Sequence, residues 1–332
     1  MDSTLHTVVM AWLFAMGACV GSFLNVAIFR LPRRCMTVFR PKRSFCPTCG
    51  RQLTWHDNIP ILGWVRLRGR CAGCRQPISP RYPLVELFTA LVFLWLGWRH
   101  LGSEQLLSPE AWGLVGIHAA AASALIVCTG TDLDHRIIPD SVDLGGMALA
   151  PPLLFLVPRA LGSAPVDLEG WSREALGVFD SPFAWWGIEA ALRPLAWLEA
   201  LPAADPGLHL RLGALVASLV GAVLGAGLLY SLGAPFNRLL GPGAMCLGDV
   251  KLAGFVGALV GPQGLGSMLL VALFSGSLVG VAQVLRTPGP GGLGARLRTS
   301  SIPFGPFLAL GGAVALFFPD AVPSAIRWWV SP

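Results

Sequence analysis

Apolar residues gather in long segments that are separated by short polar stretches. The first segment, residues 7–29, holds no charge over a length that can cross about 30 Å of hydrocarbon. Its positive charges follow the apolar run rather than precede it, which argues against a cleaved signal peptide. The pattern predicts an all-α polytopic membrane protein with about eight transmembrane helices. The remaining segments lie near 83–98, 110–131, 141–157, 210–232, 250–264, 266–285 and 303–319.

Charge gives this membrane protein an orientation. Only 13% of its residues are charged and 54% are hydrophobic. Twelve of the 24 basic residues lie between Arg30 and Arg81, against a single acid, Asp57. Such a loop is typical of the cytoplasmic side of a membrane, so its charge does not require a nucleic acid partner. Alternation of the spans then places segment 158–209, which is rich in acids, on the extracytoplasmic side.

The chain is therefore divided into five parts. The parts are a first transmembrane helix (1–29), a cytoplasmic basic zinc-binding domain (30–82), transmembrane helices two to four (83–157), the extracytoplasmic insertion (158–209) and helices five to eight (210–332). Within the insertion, the residues from Phe183 to Leu201 fit either a helix lying in the membrane interface or a small folded cap, and the pattern favours neither.

Four cysteines in the basic loop have the spacing of a metal site. Cys46 and Cys49 form one CxxC pair, and Cys71 and Cys74 form a second pair after 21 intervening residues. Each CxxC turn can aim two thiolates at one tetrahedral Zn²⁺, and four thiolates leave no open position, so the ion would be structural. The alternative is two disulfides, which a cytoplasmic location disfavours because thiols stay reduced there.

Acidic residues are scarce among the apolar segments, and each needs a reason. One cluster, Asp132 to Asp140, ends the third span, and a second, Gly248-Asp249-Val-Lys251, lies at the inner end of the fifth or the start of the sixth. Two aspartates from separate helices at one membrane face can share a proton, which separates their pKa values into those of a general acid and a general base. This pattern predicts acid–base chemistry by Asp132 and Asp249.

The neighbouring acids have structural explanations as well. Asp140 follows a proline and precedes an apolar run with Asp143 three residues on, a pattern typical of a helix N-terminus. Asp134 lies two residues from Asp132, so on a helix the two point apart and Asp134 is expected to support the site or to be solvated. For Asp249 the competing interpretation is an ion pair with Lys251 or Arg238.

With these residues in place, the sequence resembles the bacterial prepilin peptidases, which are GxGD-type aspartyl membrane peptidases that also act as N-methyltransferases. The matching motifs run in order across most of the chain. They are Gly21-Ser-Phe-Leu-Asn-Val-Ala-Ile-Phe-Arg-Leu-Pro32, Arg43-Ser-Phe-Cys-Pro-Thr-Cys-Gly50, Asn58-Ile-Pro60, Leu67-Arg-Gly-Arg-Cys71, Ile78-Ser-Pro-Arg-Tyr-Pro-Leu-Val-Glu86, Asp132 to Asp140, and Gly248-Asp249-Val-Lys-Leu252.

The resemblance implies a membrane-embedded endopeptidase that removes the leader of type IV prepilins or type II secretion pseudopilins. It assigns Asp132 and Asp249 as the catalytic pair and implies that the new N-terminus is methylated from S-adenosylmethionine. No strand, glycine-rich turn and helix marks a nucleotide site, so methylation follows from the resemblance alone, with Glu86 a candidate contributor. Cys246 departs from the motif, which has glycine at that position; glycine there suggests a close backbone approach or a positive φ.

Two other functions compete with the peptidase. A proton-coupled transporter would keep its acids near the bilayer midplane, whereas these lie at the cytoplasmic ends of spans. A non-catalytic scaffold would dock a secretion or pilus partner through the zinc loop and would not need Asp132 or Asp249. The expected partners are prepilins or pseudopilins and anionic lipids of the inner membrane. The lipid headgroups would attract the basic loop with about 1 kcal/mol per basic side chain and so mask its positive charge.

Overall fold

The computed structural model describes residues 3–33, 37–162, 206–240, 246–286 and 303–330. These residues form helices joined by turns, with isolated bridges but no β-strand among them. Short 3₁₀ turns lie at Trp55–Asp57 and Pro158–Ala160. The helices are α1 (Ser3–Arg30), α2 (Leu62–Arg66), α3 (Arg81–His100), α4 (Pro109–His135), α5 (Asp140–Leu156), α6 (Pro206–Leu240), α7 (Leu247–Arg286), α8 (Gly305–Phe317) and α9 (Ala321–Val330).

The all-helical fold is confirmed, but the count of eight spans is not. Within the described ranges, four helices are long and apolar enough to cross a membrane: Thr4–Arg30 of α1, Pro109–His135 of α4, Leu210–Gly233 of α6 and Leu247–Gln283 of α7. A fifth is added if α8 and α9, which are bent by 87°, form one broken span. The predicted second span lies in α3, which carries Arg81, Glu86 and Arg99, and the fourth lies in α5, which has only 17 residues.

Two of the predicted spans share the single helix α7. Its backbone breaks at Gly261, where φ is 67° and ψ is 179°, a conformation that side chains with a Cβ rarely adopt. Pro262 follows the break and begins the second arm, a position that suits its fixed φ and missing N–H. The predicted boundary between residues 264 and 266 therefore lies close to a real interruption, and α7 consists of two helical arms that meet at Gly261.

The chain divides into two compact units, residues 1–142 and 143–332. In the N-terminal unit, α1 packs closely against α3. A Cβ added at Gly17 would lie 2.8 Å from the Cα of Ala90, and one at Gly21 would lie 2.7 Å from the Cα of Glu86. This spacing of small residues allows two helix backbones to approach, as in membrane helix pairs.

In the C-terminal unit, small residues likewise hold α6 and α8 against α7. A Cβ at Gly221 would lie 2.1 Å from the carbonyl oxygen of Gly257, and one at Gly311 would lie 2.2 Å from that of Met268. The Ser218 hydroxyl donates a hydrogen bond to the Ala258 carbonyl at 2.7 Å. Such contacts replace the hydrophobic driving force that is absent between helices in lipid.

The helix or cap predicted between Phe183 and Leu201 lies outside the described residues, as does most of the insertion.

Candidate active site and metal centre

The four predicted zinc ligands come together in the N-terminal unit. Their sulfur atoms all lie within 4.8 Å of one another, with 3.9 Å between Cys46 and Cys74 and 4.0 Å between Cys49 and Cys71. Four thiolates at 2.3 Å from a tetrahedral Zn²⁺ would be about 3.8 Å apart. None of the four cysteines is in a disulfide. The donor set and its spacing therefore fit a structural zinc ion and not a pair of disulfides.

The two CxxC turns are built alike. In the first, the Gly50 N–H donates to the Cys46 carbonyl at 2.9 Å, and in the second the Arg75 N–H donates to the Cys71 carbonyl at 3.0 Å. Gly50 has a φ of 70° and Arg75 a φ of 60°. The sequence indicated the first turn through its glycine, but it gave no sign that an arginine would adopt the same left-handed conformation in the second.

The cysteine pKa values diverge across this cluster. The backbone N–H groups of Cys49 and Thr48 donate to the Cys46 sulfur and lower the pKa of that thiol to about 6. Although the backbone of Gln76 lowers the pKa of Cys74, burial and the neighbouring sulfur atoms outweigh it and raise the pKa to about 11. Four adjacent thiolates repel one another, and a divalent cation would remove that repulsion and ionise them all.

Asp57, the one acid of the basic loop, is held by three partners. Its side chain is 6% exposed and forms ion pairs with Arg66 and, at 4.0 Å, with Arg51. The Thr54 hydroxyl donates to its Oδ2 at 2.6 Å. This hydrogen bond is the largest cause of the lowered pKa of Asp57, with burial acting against it and Arg66 adding to it. Asp57 therefore connects the turn after the first cysteine pair to α2.

Arg30 ties the end of α1 to the same loop. Its side chain is buried, with the residue 4% exposed, and it donates to the carbonyl oxygens of Val38 at 2.9 Å and Pro41 at 2.7 Å. The sequence placed Arg30 among the positive charges of the loop and within the first matching motif, but it did not predict these bonds to the loop backbone. Its position as the first charge after the apolar run of residues 7–29 was the available signal of a specific role.

A cavity of about 410 Å³ lies between α1, the cysteine turns and the start of α3. Asn25 lines it from α1, donating to the Tyr82 carbonyl at 3.0 Å, and Glu86 lines it from α3. The Ile61 N–H donates to Glu86 Oε2 at 2.6 Å. The sequence placed Glu86 beside the zinc loop, and the structure brings the two together, whereas the cavity itself was not predicted.

Asp132 lies in the last turn of α4 and is buried, at 6% exposure. The helix ends at His135, and Arg136 follows with a φ of 54°, its N–H bonded to the Asp132 carbonyl. Asp134 is in an ion pair with Arg81, whose guanidinium also donates to the Gly130 carbonyl at 3.2 Å. Asp134 thus joins α4 to α3, while Asp132 occupies a protected position beside it.

Asp140 begins α5 and is exposed, in keeping with the helix N-terminus predicted for it. Asp143, predicted in the same first turn, is fully buried. The sequence gave no sign of that burial, because exposed and buried acids look alike at the start of a helix.

Asp249 lies in the first turn of α7 in the C-terminal unit and is 7% exposed. The Cys246 N–H donates to Asp249 Oδ2 at 3.3 Å, and the Asp249 N–H donates to the Cys246 carbonyl at 3.1 Å. An acid at the third helical position that accepts from the residue before the helix is a common cap. Gly248 and Lys251 flank Asp249 in the same turn.

Cys246 does not have the positive φ that a motif glycine suggested for this position. Its backbone N–H, which any residue except proline supplies, is the group that contacts Asp249. The cysteine is therefore compatible with the local backbone.

Comparison with known proteins adds the family. A family model described as Bacterial Peptidase A24 N-terminal domain matches residues 15–100, which cover α1 from Ala15 onward, the cysteine turns and α3. A Prepilin leader peptidase/N-methyltransferase of Myxococcus xanthus (strain DK1622) is 37% identical over 233 residues, 67% of this chain and 64% of that protein. No solved structure matches.

Other relatives match over nearly the whole length. A Prepilin leader peptidase/N-methyltransferase of Aeromonas salmonicida (strain A449) is 30% identical over 96% of this chain and 92% of the relative. A Type 4 prepilin-like proteins leader peptide-processing enzyme of Escherichia coli O78:H11 (strain H10407 / ETEC) is 30% identical over 91% of each chain. The family model and the sequence identity over nearly the whole length show that the chain belongs to the prepilin leader peptidase/N-methyltransferase family.

Proposed function

We propose that this protein is an aspartyl endopeptidase of the inner membrane that removes the leader of type IV prepilins or type II pseudopilins at the cytoplasmic face. The same chain then methylates the new N-terminus. The observation that carries the peptidase is the burial of Asp132 and Asp249, at 6% and 7% exposure, near the ends of two strongly apolar helices. The names of the relatives support the choice of substrate.

The chemistry follows from two carboxyl groups that share one proton. The ionised aspartate takes a proton from a water molecule, whose oxygen then attacks the peptide carbonyl carbon. The protonated aspartate donates its hydrogen to the carbonyl oxygen, and collapse of the intermediate breaks the C–N bond as the leaving nitrogen gains a proton. The pairing of Asp132 with Asp249 follows from the sequence prediction and is part of this proposal.

The remaining residues have supporting roles. Arg81 holds Asp134 and so fixes the end of α4 that carries Asp132. Asp140 is exposed near the same end, where its charge would attract the basic leader. Gly248 and Lys251 lie in the same helical turn as Asp249 and would help to position that turn. The twelve basic residues from Arg30 to Arg81 support a cytoplasmic face and contact with anionic lipids.

Two small components would complete the enzyme. Zn²⁺ would be held by the four cysteines and would fix the fold of the basic loop, because a closed four-thiolate shell leaves no position for substrate. S-adenosylmethionine would supply the methyl group.

A product-mass assay tests the proposal. Purified protein in detergent is incubated with a prepilin, with and without S-adenosylmethionine. Wild type should release the leader and add one methyl group only when the donor is present. Asp132→Asn and Asp249→Asn should abolish cleavage, while Asp320→Asn, an exposed acid between α8 and α9, should match wild type. Full cleavage by either of the first two variants would show that the peptidase does not need that aspartate, and no cleavage by wild type would favour the scaffold or the transporter.

A further inference from the structure

The cavity in the N-terminal unit has the dimensions of a small-molecule site. Its volume is about 410 Å³, and pockets for drug-sized ligands span about 300–1,000 Å³. Its lining is mainly apolar and includes aromatic side chains from three parts of the unit, Phe29, Trp64 and Tyr82. A few convergent polar groups in an apolar cleft are the usual composition of a cofactor site.

Two of the charged side chains in this lining, Arg30 and Asp57, already have hydrogen-bond or ion-pair partners within the protein. Arg30 donates to backbone carbonyls of the loop, and Asp57 is held by Thr54, Arg66 and Arg51. Glu86 is the lining carboxylate that retains capacity. Its Oε2 accepts the Ile61 N–H, and Ser22 hydrogen-bonds the same group, which leaves acceptor positions on an ionised carboxylate.

The position of Glu86 is fixed by a strained turn on one side and by close helix packing on the other. The Leu62 N–H donates to the Pro60 carbonyl at 2.6 Å, so the three residues from Pro60 form a tight turn with Ile61 at φ 62° and ψ −55°. This turn is rare and strained, and it is costly for a β-branched residue. Strained turns of this kind cluster at functional sites. From the other side, Gly21 lets α1 approach the Glu86 backbone directly.

Glu86 is half-buried in a lining that includes aromatic side chains, a combination that favours a cation with a flat ring system. S-adenosylmethionine fits this description, because its sulfonium and ammonium groups are positive and its adenine ring can stack on an aromatic side chain. The lining includes two of the zinc ligands, Cys46 and Cys71, so the metal would shape one wall of the cavity.

We propose that this cavity, lined by α1, the two cysteine turns and the start of α3, is the binding site of the methyl donor, with Glu86 facing its positive charge. The proposal rests on the methyl transfer included in the proposed function. The substrate amine first loses a proton, for which Glu86 is the nearby acceptor. The lone pair of the substrate nitrogen then forms the N–CH₃ bond as the CH₃–S⁺ bond breaks, and the electron pair of the broken bond neutralises the sulfur.

The first test measures binding rather than turnover. Affinity for S-adenosylmethionine and for its uncharged-sulfur product S-adenosylhomocysteine is measured by calorimetry on the full, zinc-loaded protein in detergent. Glu86→Gln should weaken the donor by about tenfold, as expected for loss of a hydrogen-bonded charge, and should weaken the product less. Glu104→Gln removes an exposed acid outside the cavity and should bind both as wild type does.

Zinc content and leader cleavage report whether the variant is folded. If Glu86→Gln keeps both and binds donor and product as tightly as wild type, the proposed site is wrong while the proposed function stands. If wild type cleaves but neither methylates nor binds S-adenosylmethionine, the methyl-transfer part of the function is wrong, and this site with it.

A second measurement does not depend on any substitution. Wild-type protein is crosslinked to methyl-labelled S-adenosylmethionine by ultraviolet light, and the labelled peptides are mapped. Label within residues 22–86 supports the proposal, whether or not the Glu86 variant folds. Label confined to the C-terminal unit, residues 143–332, would overturn it.

Discussion

Arg75 occupies, in the second cysteine turn, the position that Gly50 holds in the first. Both residues have positive φ and both donate their N–H to the first cysteine of their pair. An L-residue in this left-handed conformation costs about 1–2 kcal/mol, and glycine avoids the cost. The second turn is therefore under strain that the four-sulfur cluster has to hold in place.

Replacing Arg75 tests that strain. Arg75→Gly should stabilise the zinc-bound loop by about 1 kcal/mol relative to Arg75→Ala. Both variants remove the charge and the long side chain, so their difference isolates the backbone. The midpoint temperature of zinc release, followed with a coloured chelator, is the measurement. Equal midpoints for the two variants would mean that this turn carries no such strain.

Cys246 is the residue at which the chain departs from the GxGD pattern. Because its φ is not positive and its contact with Asp249 uses the backbone N–H, neither glycine nor alanine should alter the site. We expect Cys246→Gly and Cys246→Ala to cleave a prepilin within about twofold of wild type, well under the 1.36 kcal/mol that a tenfold change represents. A large gain for glycine alone would show that cysteine distorts the motif.

At the scale of elements, the contact of α1 with α3 is the joint on which the N-terminal unit is built. A Cβ at Gly21 would lie 2.7 Å from the Cα of Glu86, and a backbone atom cannot move aside as a flexible side chain can. The same contact sets the position of Glu86 in the cavity. Its small residues therefore serve packing and the candidate site together.

Gly21→Ala should lower the stability of the protein by about 1–3 kcal/mol, the usual cost of overpacking. Gly116 is a matched control, since it lies in α4 and a Cβ there would meet nothing within 4 Å. Gly116→Ala should be neutral or stabilising, because alanine favours a helix over glycine by about 1 kcal/mol. Thermal unfolding in detergent compares the two, and an equal effect of both would refute the close contact.

Some elements could be predicted because their signals are local. The apolar run of residues 7–29 became α1, and the CxxC spacing predicted the four-cysteine cluster. Tertiary contacts gave no local signal. The buried hydrogen bonds of Arg30 and the strained turn at Ile61, whose N–H bonds Glu86, have no counterpart in a hydropathy pattern. The count of eight spans is not confirmed, because charge and length in α3 and α5 fall short of a clear membrane helix among the described residues.

At the scale of the whole molecule, the two compact units hold different parts of the chemistry. The N-terminal unit contains the cysteine cluster, the cavity and Asp132, and the C-terminal unit contains Asp249. In the account proposed here, methyl transfer would belong to the first unit, whereas peptide cleavage would need an aspartate from each. Chelation of zinc should therefore weaken the binding of S-adenosylmethionine more than it slows leader cleavage, which relies on Asp132 and Asp249.

A double-variant cycle on leader cleavage tests whether Asp132 and Asp249 act as one catalytic pair. Asp132→Asn, Asp249→Asn and the double variant are compared with wild type for kcat/KM on one prepilin, with zinc content confirming the fold. If the two aspartates act as one unit, each single variant should lose at least about a thousandfold, and the double variant should lose no more. Additive losses, or cleavage that survives either substitution, would contradict the aspartyl pair.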